Sequence, residues 1–185
     1  MDQTNRLKTS TRESATTKSR TRLRKLVLSA LLVSLGVTGS MLPFFTFPIG
    51  VSRCAPLQHL INILGAVLLG PGYAVANAFL ISLLRNLLGT GTLLAFPGSM
   101  IGALLAGLVY RWLKNDGLAV LGEFIGTGLI GAMAAYPIAR WMIGSAPAAV
   151  TFFVLPFMLS SGAGSILAFV LLRMLRRIDL LRLRP

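Results

Sequence analysis

The sequence predicts an all-α membrane protein, a six-helix transmembrane bundle with short helices 2 and 3 and with both termini in the cytoplasm. Three observations predict it. Of the 185 residues, 55% are hydrophobic and only 12% charged, against about a quarter charged in a soluble domain. Formal charge is absent between Lys25 and Arg53, Arg53 and Arg85, Arg85 and Arg111, Glu123 and Arg140, and Arg140 and Arg173. These gaps approach the ~20 apolar residues of a membrane span. They are also continuously rich in Leu, Ala and Gly, without the alternation of a barrel strand, so helices must satisfy the backbone in lipid.

Charge placement orients the bundle. The net charge is +13, and eight of the 18 basic residues lie before Leu26, with five more from Arg173 onward. Under the positive-inside rule these are cytoplasmic. With Arg111 and Lys114, inside segments hold fifteen basic residues, while Arg53, Arg85 and Arg140 lie outside or embedded. Such flanks attract anionic membrane lipid at about 1 kcal/mol per residue near the surface. They do not point to nucleic acid, because the tail lacks the interleaved aromatics that stack on bases.

The elements follow in order. Residues 1–25, rich in Thr, Ser and Arg, read as a disordered basic cytoplasmic tail, residues 26–176 as the transmembrane domain, and residues 177–185 as a basic cytoplasmic C-terminal tail. The first 25 residues resemble a transit peptide in composition. The long charged prefix and the lack of a small-x-small cleavage site favour an uncleaved first span instead. Helix 1 is expected over residues 26–41, ending near Pro43, followed by a segment broken by Pro48, Gly50 and Pro56. Two short apolar pieces, residues 57–69 and 73–88, flank Gly70-Pro71-Gly72, which cannot continue a helix. They are either two thin spans or a re-entrant hairpin. Pro97 suits the first turn of helix 4, which ends near Arg111 and Lys114. Helix 5 is expected to begin after Asn115-Asp116-Gly117 and to run to about residue 143, then a turn at residues 144–147. Helix 6 is expected over residues 149–176, bent near Pro156. Gly98, Gly102 and Ala106, and Gly122 and Gly126, recur four apart and predict close backbone packing within the bundle. Ala30 and Ser34 on helix 1 repeat the pattern as a partner-facing stripe.

Few groups are available for chemistry. There is no phosphate-binding Gly-x-x-x-x-Gly-Lys-Ser/Thr run and no His-Glu-x-x-His. Cys54 is the only cysteine, so no intrachain disulfide can form, and Cys54 with His59 lacks the further ligands a metal needs. Neither a cofactor nor a metal is predicted. Polar groups within spans are costly, about 2.5–3.5 kcal/mol for a central charge, and mark function. Gln58, His59 and Asn62 form one cluster, with His59 and Asn62 on a shared helix face. Arg85 and Asn86, with Thr90 and Thr92, form the other. Both fall at the outer ends of the short pieces and converge on an outward-facing cavity roofed by residues 92–96. Imidazole, amides, hydroxyls and guanidinium suit a small polar heterocycle carrying hydroxyl or anionic groups. Each residue also has a structural use: His59 as a hydrogen-bonded packing residue, and Arg85 snorkelling to the interface. Glu123 either pairs with Lys114 or Arg111 near the cytoplasmic surface or contacts substrate.

Residues 50–62 (GVSRCAPLQHLIN), 85–100 (RNLLGTGTLLAFPGSM) and 122–128 (GEFIGTG) resemble the ThiW family over a similarity spanning about residues 26–172. That resemblance implies a substrate-capturing S component of an energy-coupling-factor (ECF) vitamin transporter. Its partners would be a transmembrane coupling protein and two cytoplasmic ATPases, and its substrate the thiamine precursor hydroxyethylthiazole. It implies a multi-pass protein of a prokaryotic cell membrane, not an enzyme. S components dock through Ala-x-x-x-Ala on helix 1, matched here by Ala30 and Ser34, with serine in place of the second alanine. The competing readings are a stand-alone channel or facilitator, and a small membrane enzyme using Glu123 and His59 as its acid–base pair.

Overall fold

A computed structural model describes residues 2–49, 52–144 and 149–178, with backbone alone over residues 2–16. Among these residues are six α-helices: α1 (Asp2–Ser40), α2 (Pro56–Leu68), α3 (Pro71–Leu87), α4 (Ala95–Leu113), α5 (Asp116–Trp141) and α6 (Val154–Arg177). Four segments are long and apolar enough to cross a membrane: Thr17–Ser40, Ala95–Leu113, Asp116–Trp141 and Val154–Arg177. The 13-residue α2 and 17-residue α3 span only about 20 and 26 Å at 1.5 Å per residue.

Proline and glycine set the short helices. Pro56 and Pro71 stand in the first turns of α2 and α3, where a missing N–H costs nothing. Gly70 between them takes φ 99°, a conformation that favours glycine. Helix α2 is the centre of the bundle. It touches α1, α3, α4, α5 and α6, and ten of its residues are buried. A helix surrounded by protein has no need to match the thickness of lipid. Both short helices run along α4: Gln58 meets Ser99 near the start of α4, and Pro71 meets Gly107 about two turns later.

The small-residue pattern packs α4 against α5 as expected. A side chain on Gly126 would meet the Gly102 backbone at 2.8 Å, and one on Gly131 the Gly98 Cα at 2.4 Å. On α4 the partners are four apart, but Gly126 and Gly131 are five apart. A π-turn over Gly126–Gly131 absorbs the extra residue and keeps both glycines on the seam.

The two ends of the bundle differ in charge. At one end Lys25 lies over the Tyr73 ring at 5.9 Å, and Arg176 makes a two-pronged contact with Asp116, including Nη2–Oδ1 at 2.6 Å. At the other, β1 (Phe47–Ile49) and β2 (Ser52–Cys54) form an antiparallel hairpin pairing Phe47 with Cys54 and Ile49 with Ser52.

Several expectations need correction. The purely α description omits this hairpin, which satisfies backbone groups where the breakers had suggested only irregular chain. The basic tail is continuous helix with α1 from Asp2; no Gly or Pro precedes Gly36, so nothing in the sequence breaks it. Helix α6 starts at Val154, which puts Pro156 in its first turn, where it causes no bend. The proline inside a helix is Pro137 of α5. Most of the expected turn at residues 144–147, and residues 179–185 of the C-terminal tail, lie outside the described residues.

Candidate functional site

The first two turns of α2 carry Gln58, His59 and Asn62 into the interior, where all three are buried. Gln58 uses every polar atom. Its Nε2 donates to Ser82 Oγ and Ser99 Oγ, each at 2.8 Å, and its Oε1 accepts from Arg85 Nη1. Asn62 Nδ2 donates to the Ser99 carbonyl at 3.2 Å and reaches Glu123 Oε1 at 3.5 Å. Glu123 Oε1 in turn lies 2.8 Å from both His59 Nδ1 and Thr127 Oγ1. A continuous chain of hydrogen bonds therefore joins Arg85 to Glu123 through Gln58, Ser99 and Asn62. Low polarity around it strengthens each bond and makes a missing partner costly.

The end of α3 explains the second cluster. Arg85 lies in the last turn of α3 and donates through Nη2 to the Thr90 carbonyl at 3.1 Å. Its own carbonyl accepts from the N–H groups of Thr90 and Gly91, both at 2.9 Å. Gly91 permits that fold-back, since a Cβ there would stand 3.1 Å from Asn86 N and from the Arg85 carbonyl carbon. Asn86 Nδ2 bridges the Ser82 and Thr92 carbonyls at 2.8 and 3.1 Å, and the Thr90 hydroxyl faces Ser40 Oγ at 3.2 Å. The loop is thus tied to α3 and α1. Arg53 Nη1, from the hairpin, adds a bond to the Gly89 carbonyl at 2.8 Å.

The structure divides the predicted residues. Gln58, His59, Arg85 and Thr92 line a cavity of about 30 Å³, while Asn62, Asn86, Thr90 and Glu123 stand behind its wall. Of the expected roof, Thr92 and Ala95 are among the lining residues, together with the β2 strand and Pro156, Phe157 and Ser160 of α6. Such a volume holds a water molecule or two and is far below the ~300 Å³ at which small-molecule pockets begin. Ser82, Ser99, Thr127 and Ser165 join the network but were not expected there, and Ser160, which accepts from Ala55 N, lines the cavity. One signal was present: Thr127 follows Glu123 by four residues, hence on one helix face.

Glu123 corrects one expectation directly. Fully buried at 0% exposure, it does not pair with Lys114 or Arg111 near the basic end. Lys114 lies over the Tyr110 ring at 5.6 Å, and the carboxylate is held by His59, Thr127 and Ser165. Nor does Arg85 snorkel to an interface, since it is 1% exposed and bonded inside. Ala30 and Ser34 are both exposed on one face of α1, away from this site.

The sequence matches the family described as thiamine-precursor transporter protein (ThiW) over residues 26–178. No curated protein and no solved structure matches it. That match spans the hairpin, both polar clusters and every helix that builds the cavity. The chain is a multi-pass membrane protein and belongs to the ThiW family of thiamine-precursor transporters.

Proposed function

We propose that this chain is the substrate-capturing S component of an ECF-type transporter, taking hydroxyethylthiazole or a close thiamine-related heterocycle from outside the cell. The observation that carries the reading is the polar chain from Arg85 to Glu123, gathered around a cavity inside an otherwise apolar bundle. Polar groups buried at such cost in a membrane protein mark a substrate path or site. Apart from Arg53, Arg85 and Arg140, the described basic residues belong to the end opposite the cavity, which supports cytoplasmic termini, six crossings and a site near the outer face of a prokaryotic cell membrane. The exposed Ala30 and Ser34 offer a small-residue stripe on α1 for a transmembrane coupling protein, which with two cytoplasmic ATPases supplies the energy. The imidazole of His59, the guanidinium of Arg85 and the hydroxyl of Thr92 on the cavity wall give a ring compound both donors and acceptors.

The test is uptake of radiolabelled hydroxyethylthiazole in cells with and without this chain. Uptake is expected to depend on both the chain and the partner ATPases. Equal uptake without the chain would refute the reading, and uptake that survives loss of the ATPases would favour a stand-alone facilitator.

A further inference from the structure

Glu123 stands directly behind His59. Its carboxylate is absent from the cavity wall, with Oε1 2.8 Å from His59 Nδ1 and Oε2 3.5 Å from Ser165 Oγ. If the carboxylate is ionised it only accepts hydrogen bonds, and a neutral His59 would then donate to it through Nδ1. The other nitrogen of a neutral imidazole then carries a lone pair. His59 lines the cavity, and its Nε2 has no hydrogen-bond partner among the described residues. Arg85 also lines the cavity, and its buried Nε has no acceptor. One bare acceptor and one bare donor therefore belong to two residues that line the same small chamber.

We propose that Glu123 is a positioning residue that fixes the Nδ1–H tautomer of His59, so that the site selects ligands bearing a hydroxyl donor. This rests on the thiazole-alcohol reading above. Hydroxyethylthiazole has a single hydrogen-bond donor, its hydroxyl; the ring nitrogen and sulfur can only accept. Its O–H donates to His59 Nε2, and an oxygen or ring-nitrogen lone pair accepts from Arg85 Nε. An O-methyl ether has the same ring and the same acceptors but leaves Nε2 facing a methyl group. A site built to bond a hydroxyl rejects an analogue without one, because a buried polar atom is left unpaired.

His59 is the only histidine, so nitrogen NMR of the full-length chain with 15N-histidine reads this imidazole alone. At neutral pH the free protein is expected to show a protonated Nδ1 and a bare Nε2, with the Nε2 resonance moving on addition of hydroxyethylthiazole. Titration should give affinity for the alcohol at least about tenfold above that for its methyl ether, the worth of one net hydrogen bond. In Glu123→Gln the tautomer preference and the alcohol-to-ether ratio should both collapse, a change that loss of packing alone would not produce. The wild-type spectrum and ether comparison decide the matter even if that variant fails to fold. A protonated Nε2 in the free protein, or equal affinity for alcohol and ether, overturns the proposal. If neither compound binds, the substrate reading falls, and the spectrum alone decides the tautomer.

Discussion

Arg85 holds a guanidinium inside the bundle with two neutral acceptors, Gln58 Oε1 and the Thr90 carbonyl. Its position in the last turn of α3 adds the favourable field of that helix's C-terminal carbonyls. Arg85→Ala leaves both acceptors bare and frees the Gly89–Thr92 loop, a loss of about 2–6 kcal/mol at ~1–3 kcal/mol per orphaned buried group. Arg85→Lys keeps the charge but not the planar fork that reaches both acceptors. Expected outcomes are a lowered melting temperature and lost ligand binding for the alanine variant, and near-parental melting with weakened binding for the lysine. If the alanine variant binds and melts like the parent, Arg85 serves neither role. Both polar clusters were legible in the sequence because each interrupts an apolar run at a cost that needs a return. Ser99 and Ser160 were not, since a hydroxyl in a membrane helix can bond its own backbone and leaves no sequence signal; Thr127 left only its four-residue spacing from Glu123. The Glu123–His59 contact joins residues 64 apart in the chain, and nearby basic side chains offered Glu123 a partner just as plausible on charge alone.

At the scale of elements, α5 shows where pattern reading stops. Gly122 and Gly126 were legible as a seam because their spacing is that of an α-helix; Gly131 was not, because five residues separate it from Gly126. The π-turn that reconciles them also follows Thr127's carboxylate neighbour Glu123 by less than one turn, so the irregularity sits beside the site. Regular α-helix would restore the seam if one residue were removed. Deleting Ile130, which is exposed, brings Gly126 and Gly131 to a spacing of four. That deletion is expected to change stability by less than about 1 kcal/mol, whereas Gly131→Ala drives a methyl into the Gly98 backbone and costs about 1–3 kcal/mol by overpacking. Melting curves in detergent compare the two, and a deletion as damaging as the alanine would show that the π-turn does more than hold register. Proline and glycine made the α2–α3 boundary readable for the opposite reason, since Pro56, Gly70 and Pro71 act locally and need no tertiary partner.

For the whole molecule, the separation of charge between its two ends was readable because lipid forbids charge in between, while the closure of the cavity was not, because it depends on how the hairpin and α6 meet. Ala55 N donates to Ser160 Oγ at 2.8 Å, and Cys54 Sγ lies 3.4 Å from the Pro156 carbonyl. These contacts close one side of a chamber too small for a ring compound, and on the proposed function a parting of β2 from α6 would enlarge it. Cys54 reports that event. Burial pushes its thiol pKa up, with the Ser160 hydroxyl acting weakly the other way. A raised pKa leaves less thiolate at neutral pH, and burial blocks access, so both effects slow alkylation. As the chain's only cysteine, Cys54 gives a single signal with a permeant maleimide. Labelling of the intact protein is expected to lag an exposed thiol by well over about tenfold at pH 7 and to rise steeply only at more alkaline pH than the ordinary ~8.5. Ser160→Ala removes the acceptor that anchors Ala55, so it should quicken labelling by loosening β2 from α6. Labelling of the parent as fast as a free thiol would mean that the hairpin already stands open, and that capture needs no parting of β2 from α6.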